Sequence, residues 1–227
     1  MQKNKQFIVF GHRGVPELKT ENSLDSFNLA IKSGLDGIEL DIMFSKDKKI
    51  IIYHDTTINN KAISELTYKQ INAYNAKVPL LEDLIQDIYK KDIIINIEIK
   101  SNQIFSNGIE KKLLKLIYKY HIKSKVIISS FDVFILFRIK LMNSNIRLGF
   151  IIDKANIFKL YLSKILKPYS IHLNIDFLND KIVSNFKHLN FKIYIWTVKE
   201  QQLRYLYNNH NIDGVFIDNP NILKAIK

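Results

Sequence analysis

The sequence predicts an α/β architecture, a TIM-like (β/α)8 barrel with a hairpin arm after strand 2. Three observations carry this. Short apolar runs rich in Ile, Val, Phe and Tyr recur at 7–10, 37–43, 50–53, 93–99, 126–128, 147–152, 170–173, 192–196 and 214–217, each of strand length. Segments with helical spacing lie between most of them, and strands alternating with helices argue for a parallel sheet closed by crossovers. The chain has 227 residues with no Pro/Gly/Ser-rich linker and no internal repeat, which suits one barrel domain over 1–227.

The elements follow in order. The first strand runs straight into Gly11-His12-Arg13-Gly14. Asn22 or Ser23 is placed to cap a helix through Ala30 and Ile31, with Gly34 as its stop. Nine strands are one too many for the barrel, and the surplus has a local cause. The segment between Met43 and Ile50 is too short for a crossover helix, so Lys46-Asp47-Lys48-Lys49 reads as a hairpin turn. If Asp47-Lys48 is a two-residue loop, Asp41 lies opposite His54; a longer loop shifts that register. Farther on, Ile109, Leu113, Leu116, Ile117 and Tyr120 fall on one face of a helix.

Composition removes several functions. There is no cysteine, which excludes disulfides, thiolate metal sites and a cysteine nucleophile. No stretch has the pattern of a signal peptide, and no apolar run approaches the roughly 20 residues that span a bilayer. A cytoplasmic protein without stable membrane insertion is expected; the oligomeric state is not legible. The net charge of +12, from 34 basic and 22 acidic residues, raises a nucleic-acid partner. The lysines are scattered, however, in a chain rich in Lys, Asn and Ile together. A general compositional bias therefore explains them better, and no nucleic acid is expected. A positive field still favours encounter with an anionic substrate.

Two strands carry the chemistry. In Ile38-Glu39-Leu40-Asp41-Ile42 the acids alternate with apolar residues, so Glu39 and Asp41 share a face. Ile95-Asn96-Ile97-Glu98-Ile99-Lys100 puts Asn96, Glu98 and Lys100 together likewise. The isoleucines suit the helix side of a barrel, which leaves Glu39, Asp41 and Glu98 converging on the interior. Close carboxylates raise one another's pKa. A hard divalent cation, Mg²⁺ or Ca²⁺, relieves this with an all-oxygen ligand set. A salt-bridge network with Lys100 and Arg13 relieves it too, and spacing alone leaves both readings open. His12-Arg13 after the first strand and His54-Asp55 after the arm add two imidazoles at strand ends, where barrel enzymes hold their active sites.

These residues resemble the glycerophosphodiester phosphodiesterase family. The resemblance rests on His12-Arg13-Gly14, then Glu21-Asn22-Ser23-Leu24 with Phe27 and Ala30, then Gly34 to Asp41, then His54-Asp55 and Glu98-Ile99-Lys100. Ser129-Ser130-Phe131, Trp196-Thr197-Val198 and Asp213-Gly214 to Asp218-Asn219-Pro220 are similar to its later landmarks. It covers the chain from about Gly11 to Pro220. The short length is like that of the cytoplasmic bacterial members. Four features depart from the usual pattern: Thr20 before Glu21-Asn22, Lys48 for a turn glycine, Lys199 for an asparagine, and the composition of 56–78.

The resemblance implies hydrolysis of a small glycerophosphodiester to sn-glycerol 3-phosphate and an alcohol, through a cyclic phosphate. Glu39, Asp41 and Glu98 are then metal ligands. His12 and His54 are general acid and base, and Arg13 and Lys100 bind phosphate. Glu21, Phe131 and Trp196 are candidates to support or wall the pocket, although aromatic residues more often fill cores. The other histidines, His172 among them, read as structural or exposed; Asp218, near the last strand end, is open to a site role, but a turn role before Pro220 is the preferred reading. Two rivals remain. A phospholipase-type phosphodiesterase on the same barrel would carry an exposed apolar rim or membrane-binding helix, and none is clear in the sequence. A binding module that kept the fold would have lost a carboxylate or histidine, and none is missing.

Overall fold

The computed structural model describes residues 7–75, 77–100, 106–154 and 157–226. In chain order the strands are β1 (Ile8–Gly11), β2 (Gly37–Phe44), β3 (Ile50–Ile52), β4 (Thr57–Ile58), β5 (Lys61–Ala62), β6 (Ile94–Ile99), β7 (Val126–Ser130), β8 (Arg147–Ile152), β9 (Ser170–Asn174), β10 (Lys192–Trp196) and β11 (Gly214–Ile217). The α-helices are α1 (Leu24–Lys32), α2 (Tyr68–Tyr74), α3 (Leu81–Ile88), α4 (Ile109–Lys119), α5 (Val133–Met142), α6 (Ile157–Leu166), α7 (Asp180–Lys187) and α8 (Glu200–Asn208). Strands β1, β2 and β6 through β11 are parallel. The ring closes because β1 pairs with both β11 and β2. The expected (β/α)8 barrel is therefore present, and β3 is the antiparallel arm on β2.

Alternation along each strand sorts the side chains. Ile38, Leu40 and Ile42 of β2 and Ile95, Ile97 and Ile99 of β6 pack outward under the helices in the main core. The opposite faces fill the barrel. Phe10, Ile127, Tyr194 and Phe216 form a separate interior cluster. Phe10 and Phe216 stack with centroids 4.9 Å apart, and Tyr194 meets Phe10 edge-on at 5.4 Å. A third cluster, around Met43, Ile51, Ile63 and Ile71, sits under the arm and the short β4–β5 hairpin.

The arm departs from the two-residue loop considered above. The Ser45 N–H donates to Lys49 O at 3.0 Å and the Lys48 N–H to Ser45 O at 2.9 Å. The loop is thus Lys46-Asp47-Lys48, with Lys48 left-handed at φ 59°. A three-residue hairpin closes through such a residue. Asp47 fixes it by accepting from the Ser45 hydroxyl at 2.7 Å and the Tyr68 N–H at 2.9 Å. The ladder accordingly pairs Ile42 with Ile52 and Phe44 with Ile50. Asp41 faces Tyr53, whose N–H donates to Asp41 O at 3.0 Å, and His54 stands one residue beyond.

Candidate active site

An open pocket of about 200 Å³ lies at the C-terminal mouth of the barrel. His12, Arg13, Glu39, His54, Asn96, Glu98, Lys100, Phe131 and Trp196 are among its lining residues.

The loop after β1 supplies His12 and Arg13. Its backbone is pinned at several points. The His12 N–H donates to Ile217 O at 2.9 Å, and the Arg13 N–H to Glu39 Oε2 at 2.7 Å. Gly14 adopts φ 87°, and a Cβ there would fall 2.3 Å from Ser26 Oγ, so the tight return is open only to glycine. Ser26 uses that proximity to accept the Val15 N–H at 2.7 Å. Ser23 caps α1 by accepting from the Ser26 N–H. Asn22, at φ 53°, is not the cap. Its amide donates to Asp41 Oδ2 at 2.9 Å, and its Oδ1 accepts the Asp41 N–H at 3.2 Å.

Glu39, Asp41 and Glu98 are buried, and each offers an oxygen within 4.8 Å of the others. Lys100 Nζ lies 2.8 Å from Glu98 and 3.2 Å from Asp41, and Arg13 Nε 3.5 Å from Asp41. These cations do not balance the cluster. Glu39 makes no ion pair among the described residues and holds only the Arg13 N–H. Burial, then the charges of Asp41 and Glu98, push its pKa well above the ordinary carboxylate range. Burial and Asp41 push Glu98 up to about 7. Burial opposes the charges of Lys100 and Arg13, yet the surrounding carboxylates outweigh it and hold both pKa values above normal. Three convergent carboxylates with one lacking a cationic partner fit a hard divalent ion. The salt-bridge reading accounts for only part of the cluster.

Both histidines have a carboxylate behind them. His12 Nδ1 lies 2.8 Å from Asp218 Oδ1, and His54 Nδ1 lies 2.8 Å from Asp55 Oδ1. Each pair leaves Nε2 as the other ring nitrogen. Asp218 corrects the turn reading. The barrel closes Gly11 against Ile217, so the next residues, His12 and Asp218, meet across the seam. Sequence spacing concealed this contact because it spans 206 positions.

Glu21 accepts from Arg13 Nη1 at 3.0 Å and stands outside the acid cluster. Phe131 and Trp196 meet edge-on at 5.8 Å along the pocket wall. Phe131 is 44% exposed, so the core-packing preference fails for it. Trp196 is held by its indole N–H on His172 O at 3.1 Å. His172 is buried and forms the pocket floor against Tyr194 and Phe216. Gly149 makes room for it, since a Cβ there would lie 2.6 Å from the ring. Burial lowers the His172 pKa to about 3. Asn96 donates to Ser129 Oγ at 3.0 Å, while its buried Oδ1 has no hydrogen-bond partner among the described residues.

An acid-lined pocket with two carboxylate-backed imidazoles, at the strand ends of a (β/α)8 barrel, is an enzyme site by plan. Comparison gives the family. The sequence model described as the glycerophosphoryl diester phosphodiesterase family matches residues 12–222, and the chain belongs to that family. It is a phosphoric diester hydrolase acting on glycerophosphodiesters. A glycerophosphodiester phosphodiesterase of Caldanaerobacter subterraneus is 28% identical over 95% of this chain and 96% of its own. The solved glycerophosphodiester phosphodiesterase from Thermotoga maritima has a TM-score of 0.82 and 26% identity, covering 97% of this chain and 98% of that one. An Oleispira antarctica phosphodiesterase, solved in complex with the product sn-glycerol-3-phosphate, has a TM-score of 0.81 and 24% identity, with 96% of each chain covered. Among the described residues no helix is long and apolar enough to cross a membrane.

Proposed function

We propose that this chain, as one catalytic domain, hydrolyses glycerophosphodiesters to sn-glycerol 3-phosphate and an alcohol by cation-dependent histidine acid–base catalysis. The observation that carries the reading is the meeting of His12, His54, Arg13, Lys100 and the carboxylate cluster around one pocket. The product complex of the Oleispira relative supports the substrate class.

Glu39, Asp41 and Glu98 would hold one Mg²⁺ or Ca²⁺. Bound there, the ion would supply Lewis acidity to the phosphodiester. Arg13 and Lys100 bind the phosphate, Arg13 through its fork and Lys100 as a point charge. Glu21 steadies the Arg13 guanidinium. One histidine, oriented by its carboxylate, takes the proton from the glycerol hydroxyl beside the phosphate. That oxygen bonds to phosphorus as the bond to the alcohol breaks, and the other histidine gives the leaving oxygen its proton. Water then opens the cyclic phosphate with the two proton roles reversed. Phe131 and Trp196 wall the glycerol.

The test is release of glycerol 3-phosphate from a panel of glycerophosphodiesters, with and without EDTA. Release is expected only with a divalent cation. His12→Ala and His54→Ala should each lower turnover by about a hundredfold or more. Near wild-type rates in EDTA, or in either variant, would remove the ion or that imidazole from the scheme.

A further inference from the structure

The outer wall of the barrel carries an apolar stripe that neither the fold nor the pocket uses. On α5, Phe134 is 61% exposed, Leu141 88% and Met142 51%. On α6, Phe158 is 63% exposed, Tyr161 61% and Ile165 49%. Phe134 and Leu141 are spaced i, i+7, and Phe158, Tyr161 and Ile165 are spaced i, i+3 and i+7. Each set therefore forms one outward ridge. The helices follow the paired strands β7 and β8, and Lys140 of α5 reaches Leu166 O at the end of α6. The two ridges thus lie side by side. Monomeric proteins rarely expose a contiguous apolar face of this kind without a use for it.

Charge identifies the occupant. The helices contain Arg138, Lys140, Lys159 and Lys164 and not one acidic residue. Asp153, beside α6, is paired with Lys159, and Glu110 on α4 with Arg138. With Arg138 and Lys159 paired to acids and Asp132 capping α5 at the Phe134 N–H, the positive charge beside the stripe comes from Lys140 and Lys164, on a chain of net charge +12. A second copy would bring the same basic frame against it. An anionic bilayer offers apolar depth for the rings and negative headgroups for the lysines. We infer that the α5–α6 face docks this protein on anionic lipid surfaces. Phe134 and Phe158 stand at the first turns of their helices, at the barrel end that holds the pocket. Phe131, three residues before Phe134, already lines that pocket. Docking therefore brings the mouth to the edge of the bilayer. The stripe was hidden in the sequence because α5, VFILFRIKLM, is apolar on all sides and its periodicity marks no exposed face.

The experiment is flotation of the full chain with vesicles of phosphatidylcholine alone or mixed with phosphatidylglycerol, at low and high salt. Binding to the mixed vesicles should exceed binding to neutral ones by about tenfold or more and weaken in salt. The double variant Phe134→Ser, Phe158→Ser should lose about tenfold of that binding. Its hydrolysis of a soluble glycerophosphodiester should not change, which also reports that it is folded. Leu141→Ser repeats the test on a side chain too exposed to serve the core. Equal binding by variants and wild type, or no preference for anionic vesicles, overturns the inference. So does light scattering that finds a wild-type dimer broken by the same substitutions, which would assign the face to a second copy.

Discussion

The barrel interior is divided into two halves built by the same alternation and governed by opposite physics. In one, Phe10, Ile127, Tyr194 and Phe216 fill the space with rings in edge and stacked contact. In the other, the buried side chains of Glu39, Asp41 and Glu98 crowd charge with Lys100 beneath the open mouth. The apolar half gains from dehydration and dispersion whatever the pH. The charged half gains only when its charges are balanced, and Glu39 is not balanced by protein alone. The difference teaches where stability and chemistry reside: the plug holds the ring closed, and the carboxylates crowd buried charge that the neighbouring cations do not fully offset.

The largest expected effect tests whether the halves are separable. Phe10→Ala removes a wholly buried ring from the plug and should cost about 3–5 kcal/mol in denaturant unfolding. Turnover of the folded fraction should stay within a few-fold, since the site hangs on strand ends and the β1 loop. A loss of activity as deep as that expected for the histidine variants would break the division.

The two halves were unequally legible in the sequence. The acids of β2 and β6 were readable because alternation fixes which side chains share a face, and the apolar runs located every barrel strand. Contacts across the barrel seam were not readable. Asp218 meets His12 only because β11 closes against β1; its place at the last strand end admitted a site role, but nothing local marks this partner. Asn22 stood in the motif, but its hold on Asp41 depends on a left-handed backbone that spacing does not reveal. The arm register turned on a single residue, Lys48, taking a conformation that lysine rarely adopts. His172 looked like a spare histidine because the glycine that admits it, Gly149, lies on the neighbouring strand.

His172 is the boundary between the halves and gives the next prediction. Its folded pKa is about 3 against an ordinary 6.5, the cause being burial. Below 6.5 the unfolded chain takes a proton that the folded one refuses, so this stability is lost as pH falls toward 3. At about 1.4 kcal/mol per pH unit, wild type should lose roughly 2–3 kcal/mol relative to His172→Gln between neutral pH and about pH 4.5. Parallel stability–pH curves for the two proteins would mean that the floor is wet and the imidazole free to titrate.

Glu98 should show the opposite slope and the smaller net effect. Its folded pKa is about 7 against 4.5, raised by burial and then by Asp41. A raised carboxyl pKa means that the folded state keeps its proton longer. The associated stability is present below 4.5 and lost as pH rises through 7. Glu98→Gln cannot ionise, so without metal it should be the more stable protein at about pH 8. The gain is on the order of 1–2 kcal/mol, because Lys100 loses one of its two partners. Saturating Mg²⁺ or Ca²⁺ should reverse the order. Wild type gains Tm on binding, with proton release below pH 7, while the variant has surrendered a ligand and gains little. A variant that matches wild type both in its metal-free pH curve and in its Tm rise with the ion would mean that Glu98 neither repels Asp41 nor binds the cation. The charged half would then be a salt bridge and nothing more.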